Sequence, residues 1–162
     1  MSGFLDRWRR SSPRHQTGEV HEDAEDKNLI RVLVVTRDDN FFLSVHGVAT
    51  DSGWETRMVR TVERGLQILD EFRASVAIYD WRTTEDDWRF DMDRLTGRPD
   101  HPCVLLASVV DDEYLRAEVV RHGGFDVIPR SADTDRLISN IQFAHFFRRS
   151  SQTVRGGRPF VR

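Results

Sequence analysis

Between residues 30 and 147, short apolar runs alternate with longer segments in which apolar residues recur every three or four positions. Runs of that length fit strands, and the periodic segments fit helices with one buried face. Alternation of the two is the pattern of a parallel sheet with helices on both sides. Five such units can be counted. Val32-Leu33-Val34-Val35 predicts the first strand, and Phe41, Phe42, Val45 and Val48 predict a helix that stops before Gly53. A weaker second strand is expected around Arg57-Met58-Val59, followed by a helix capped by Thr61 with Val62, Leu66, Ile68 and Leu69 as its apolar stripe.

The third strand, Val76-Ala77-Ile78-Tyr79, is apolar throughout, as a central strand covered on both faces should be, and it ends on Asp80. A charge at that point is expected to face outward. Trp88, Phe90 and Met92 suggest a short helix leading to Leu95 within an otherwise polar stretch. Cys103 to Ala107 predicts the fourth strand, closed by Ser108, and a helix follows from about Asp112 to His122, stopped by Gly123-Gly124. Val127-Ile128 is a brief fifth strand, which Pro129 should prevent from pairing further. Asp133 or Thr134 caps a final helix whose inner side is Leu137, Ile138, Ile141 and Phe147.

The flanks lack such a period. Residues 1–29 change sign internally, from Arg7, Arg9, Arg10 and Arg14 to Glu19, Glu22, Asp23, Glu25 and Asp26, and predict a flexible leader. Its Phe4, Leu5 and Trp8 form a small cluster that could dock on a partner, though a short disordered segment is the plainer reading. Residues 148–162 hold five arginines and no acid and predict a basic tail, too short for an output domain. The 162 residues suit one domain, 30–147, and its 38% apolar and 31% charged residues describe a globular chain.

Charge and cysteine content narrow the functional classes. A net charge of −3 gives no general attraction to nucleic acid. Cys103 is the only cysteine, so neither an intramolecular disulfide nor a paired-cysteine zinc site can form, and a cytoplasmic setting is expected. No apolar run has signal-peptide or membrane-spanning length. The six histidines show no paired metal-ligand spacing, and neither Asp86-Asp87 nor Asp111-Asp112-Glu113 has the alternating oxygens and central glycine of a calcium loop. With no glycine-rich phosphate loop and no nucleophile elbow, a conventional enzyme is not expected.

In open parallel sheets, ligands gather at the carboxyl ends of the strands near the point where strand order reverses. Those ends carry Thr36, Arg37 and Asp38 after the first strand, Asp80 after the third, Ser108 after the fourth and Arg130 after the fifth. Each has a plainer reading. Asp80 could simply bond to the next loop, Ser108 could be a turn or cap residue, and Arg130 could pair with any surface acid.

Taken together, the fivefold pattern with Asp80 ending the central strand, Ala107-Ser108, Asp111-Asp112-Glu113 and Gly123-Gly124-Phe125-Asp126-Val127-Ile128-Pro129-Arg130 resemble the receiver domain of two-component response regulators over residues 30 to about 147. The resemblance implies a three-layer, flavodoxin-like, doubly wound parallel five-stranded sheet in the order 2-1-3-4-5. It places Asp80 at the phosphoacceptor position and Ser108 at that of the hydroxyl touching the phosphoryl oxygens. Arg130 stands where receivers usually have lysine, and the chain's sole lysine, Lys27, lies before the first strand.

The departures concern metal and switching. Receivers carry two adjacent acids after the first strand that hold magnesium with the acceptor, and this chain has Thr36 and Arg37 there, with only Asp38 one place late. Any Mg2+ would rest on Asp38 and Asp80, an incomplete set for a hard cation. Val127 replaces the aromatic residue that swings with the hydroxyl in many receivers.

Three functions follow from the resemblance. The first is a phosphorelay module with Asp80 as acceptor and a histidine kinase or downstream effector as partner, able to pair with a second copy through its fourth and fifth helices. The second is a phosphorylation-independent docking module in which Arg37 and Asp80 form a permanent pair. The third is another flavodoxin-like protein that binds a small anion through Ser108, Arg37 and Arg130.

Overall fold

A computed structural model describes residues 28–156. Five strands, β1 (Arg31–Val35), β2 (Glu55–Val59), β3 (Val76–Asp80), β4 (Cys103–Ser108) and β5 (Asp126–Pro129), form one sheet in the order β2-β1-β3-β4-β5. Every neighbouring pair runs parallel. The connections are α1 (Asp39–Asp51), α2 (Val62–Phe72), α3 (Trp88–Thr96) and α4 (Glu113–Arg121), and α5 (Thr134–Gly156) closes the described chain.

Side-chain alternation along the strands builds two cores. Leu33, Val35, Ala77, Tyr79, Val104 and Leu106 meet the inner faces of α2, α3 and α4. Val32, Val34, Val76, Ile78, Leu105 and Ile128 meet Phe41, Val45 and Val48 of α1 and Leu137, Ile141 and Ala144 of α5. Strands β3 and β4 are buried along their whole length, which is why they appear in the sequence as unbroken apolar runs. Edge strand β2 instead alternates exposed and half-buried residues, which explains its weak signal.

Caps fix where the helices begin. Asp38, Thr61 and Asp112 each accept a backbone N–H from the first turn of the helix that follows. Asp133 does the same for Arg136 at the start of α5. The turn after α4 needs Gly123, whose φ is +82° and where an added Cβ would lie 2.7 Å from the Thr96 hydroxyl.

Two expectations need correction. The last helix does not stop at residue 147 but continues through 148–156, the first part of the expected tail. No proline or glycine interrupts that stretch before Gly156. The Arg148 guanidinium anchors it by donating to the carbonyls of Asp100 and His101, and Ser150 and Ser151 bond to carbonyls four residues back. Phe147 is largely exposed rather than on the inner face, and its ring lies 5.2 Å from that of Phe125. As expected, β5 ends at Pro129, which still lies in register with Ser108, as a residue ending an edge strand can. The leader cluster Phe4, Leu5 and Trp8 and residues 157–162 lie outside the described residues.

Candidate functional site

Parallel pairing puts the carboxyl ends of β1, β3, β4 and β5 on one rim, so Thr36, Asp38, Asp80, Ser108 and Arg130 meet there although the chain separates Asp38 from Arg130 by 92 residues. Asp80 does not face solvent. It is only 1% exposed, and both carboxylate oxygens are engaged. Oδ1 accepts from the backbone N–H of Arg82 at 3.1 Å, which starts a short 3-10 turn over Trp81–Thr83. Oδ2 accepts from the Thr36 hydroxyl at 2.7 Å and pairs with Nη1 of Arg130. A buried carboxylate is tolerated only with such compensation, and here it is supplied in full.

Arg130 bridges two acids. While Nη1 faces Asp80, Nη2 donates to Oδ2 of Asp38 at 2.5 Å. The Nη1 contact is an ion pair without an aligned hydrogen bond. The guanidinium also lies over the Phe41 ring, 4.9 Å from its centroid, and its backbone N–H donates to the Ser108 carbonyl, which fixes the start of the loop after β5. Asp38 in turn uses Oδ1 to accept the N–H groups of Asn40 and Phe41. Those backbone donors, and then Arg130, hold its carboxyl below the usual carboxylate range.

Thr36 is completely buried and works in both directions: its hydroxyl donates to Asp80 and accepts from the Asp38 N–H at 3.0 Å. Ser108 is also buried, next to Ala107, the register partner of Asp80, and its hydroxyl accepts from Val110 N–H at 3.0 Å. That is the turn role weighed from the sequence.

Arg37 does not join the site. Its side chain is exposed, and the expected Arg37–Asp80 pair is replaced by Arg130–Asp80. Thr36 turns inward to Asp80, and its neighbour is carried to the outside, where Arg37 contributes its carbonyl to Arg60. Sequence reasoning also missed Phe41 under the guanidinium and Thr83, whose hydroxyl donates to the Val35 carbonyl beneath the rim. Neither carries a local signal that distinguishes it from a core residue.

The donor set does not suit a hard dication. Among the described residues no three His, Cys, Asp or Glu side chains cluster for a metal. The two carboxylates present, Asp38 and Asp80, share one guanidinium and spend their remaining oxygens on backbone and hydroxyl donors.

No protein-family model matches the sequence, and no curated protein matches it. Solved structures do. NtrX from Brucella abortus in complex with ADP superposes with a TM-score of 0.69 at 21% identity, over 78% of this chain and 28% of that one. The chain thus spans little more than a quarter of NtrX. A CheY-like response regulator receiver domain protein from Methanospirillum hungatei gives 0.66 at 14% identity, over 76% of this chain and 98% of its own. The beryllofluoride-activated NtrC4 receiver domain dimer gives 0.65 at 15% identity, over 73% and 98%. With its strand order, parallel register and five covering helices, the chain has the fold of response regulator receiver domains.

Proposed function

We propose that this chain is a receiver-like signal-transduction module that works by protein interaction, with its acceptor pocket held shut by Arg130. The observation that carries the reading is the double engagement of one guanidinium with Asp80 and Asp38. Phosphoryl transfer to Asp80 would need a free carboxylate oxygen and a dication to gather the phosphoryl oxygens. A dication there would have to compete with the guanidinium for both carboxylates, Asp38 and Asp80. The burial of Asp80 and the bonds to both of its oxygens favour the phosphorylation-independent reading over the phosphorelay one.

The module belongs to a two-component type of pathway, with a histidine kinase or a downstream effector as partner, in the cytoplasm, and it performs no catalysis of its own. Tyr114 and Val120 on α4 and Phe143 on α5 are exposed large apolar residues that a second copy or an effector could cover. Pairing of copies is suggested also by the dimeric NtrC4 receiver domain.

The test is to incubate the protein with Mg2+ and acetyl phosphate and weigh it intact, beside an Asp80→Asn control. The mass of both should stay unchanged. An Asp80-dependent gain of one phosphoryl group would restore the phosphorelay reading.

A further inference from the structure

Among the described residues, helix α5 carries the densest group of exposed rings. Phe143, Phe146 and Phe147 are each more than half exposed, and Val154, two turns further on, is more exposed still. With 3.6 residues per turn, Phe143, Phe147, Ser150 and Val154 fall on one strip of the helix, with Phe146 at its edge and Asn140 ahead of it. Arg148 and Arg149 lie off the strip, held by the carbonyls of Asp100 and His101 and by the Asn28 amide oxygen. Ser150 and Val154 belong to the part of α5 that runs on past residue 147, so the strip is as long as it is only because the helix continues. Two of the rings are already steadied from within: Phe147 lies 5.2 Å from Phe125, and Phe146 meets the buried His145 at 5.8 Å. Covering them therefore costs little further side-chain freedom.

We propose that a second copy of this chain covers the strip, its α5 packed antiparallel on the first, with Phe143 of each copy against Phe147 of the other. Spacing, charge and area select this occupant and this direction. Phe143 and Phe147 are one turn apart, so a two-fold axis level with residue 145 makes the strip complementary to itself and sets Asn140 opposite the partner's Ser150. Parallel helices in register would bring the Arg148-Arg149 steps of both copies side by side, whereas antiparallel ones shift each step by roughly 12 Å along the axis. Antiparallel packing also turns like flanks toward each other. The exposed Asp135 and Arg149, about four turns apart, share one flank, so each arginine moves toward an acid of the other copy. The three rings and Val154 remove roughly 900 Å2 from water in the pair, and the polar residues around them bring the total to the ~1,200 Å2 at which stable interfaces begin. The proposal rests on the reading of the chain as an interaction module and not on the closed pocket. The acetyl phosphate assay reads that pocket and is blind to this face, so each can fail without the other.

Two measurements on the full chain test it. In sedimentation velocity at about 50 µM, where an interface at the small end of the stable range should hold, the unaltered protein should run as a dimer. A Phe143→Lys/Phe147→Lys variant should run as a monomer with an unchanged circular dichroism spectrum, because both side chains are exposed in the single chain and lysine suits a helix. Direction is read by oxidation. Cys103 is the only cysteine, so in a Cys103→Ala background an Asn140→Cys protein and a Ser150→Cys protein each carry one thiol. Neither alone should form a disulfide-linked dimer under mild oxidation, and an equimolar mixture of the two should form one. A monomeric unaltered protein overturns the proposal, as does a dimer that survives both lysines. Self-linking of the Ser150→Cys protein overturns it as well, since that requires parallel helices, and so does a dimer in which no arm gives a disulfide.

Discussion

Replacing Arg130 by methionine keeps an unbranched stem against Phe41 and removes the cation paired with Asp80. Asp80 is 1% exposed and Arg130 has a side-chain exposure of 11%, so this is a buried pair and the loss should fall in the buried range. Leaving a buried charge unmatched costs about 3–5 kcal/mol. The Thr36 hydroxyl and the Arg82 N–H remain on the carboxylate and place the expected value near the lower end, about 3 kcal/mol, or roughly 10 °C in Tm for a domain of this size. Asp80→Asn alone should cost less, because Arg130 keeps Asp38 as a partner. In the double variant neither charge is stranded, and a double-mutant cycle from urea melts at pH 7 should return a coupling of about 2 kcal/mol. A coupling under about 0.5 kcal/mol, the value typical of exposed pairs, would refute the claim that Arg130 closes the pocket.

Three further outcomes can be checked on the same protein. Thr36→Val removes a buried donor to Asp80 and should lower stability in urea by about 1–3 kcal/mol, whereas Arg37→Ala, on an exposed side chain, should stay within about 0.5 kcal/mol of the unaltered protein. His145 is buried with its imidazole bonded to Ser75, and its folded pKa lies below the ordinary value. Its share of stability is therefore present above about pH 6.5 and is lost as pH falls through the depressed value, so Tm should drop between pH 7.5 and 5 more steeply than in a His145→Gln variant. The Cys103 thiol is 8% exposed and its pKa is pushed by burial up to about 11, so Ellman's reagent at pH 8 should react fully only after denaturation.

The fold was legible because the two sides of the sheet impose different patterns on different elements. Val76 to Tyr79 and Cys103 to Ala107 are apolar at every position, which only a strand covered twice requires, and Thr61 and Asp112 announce the helices that follow them. The end of α5 was obscured because nothing within 148–156 shows that Arg148 would find carbonyl acceptors 47 and 48 residues earlier. Whereas Arg37 belonged to the same group in the sequence and lies outside, Thr36, Asp38, Asp80, Ser108 and Arg130 were legible as a group from their places after each strand. Their pairing was not. A carboxylate such as Asp80 reads as outward-facing until its partners are known, and those partners come from residues 36, 82 and 130. Thr36 and Arg37 are adjacent, and the side that each would face depends on the turn into α1, which Asp38 sets by capping.

The substitutions at the rim make sense as one electrostatic unit. In the receiver pattern that the sequence resembles, two acids after the first strand and the acceptor face one lysine, a surplus of two negative charges that a dication can neutralise. Here Thr36 stands in place of the first acid, Arg37 turns outward, and Asp38 and Asp80 face Arg130, a surplus of one. An ammonium is a point charge that would have to choose between carboxylates, whereas the planar fork of a guanidinium can present one nitrogen to each. The threonine hydroxyl completes the arrangement, since it donates to the Asp80 oxygen that also faces Arg130 and holds the turn that brings Asp38 within reach of the fork. Neither change would close the arrangement by itself: an arginine among three acids keeps the same surplus of two negative charges as a lysine, and a threonine beside a lysine leaves a dication short of ligands. Made together, they give Asp80 a counter-ion from the chain itself, which is the arrangement that the proposed closed pocket requires.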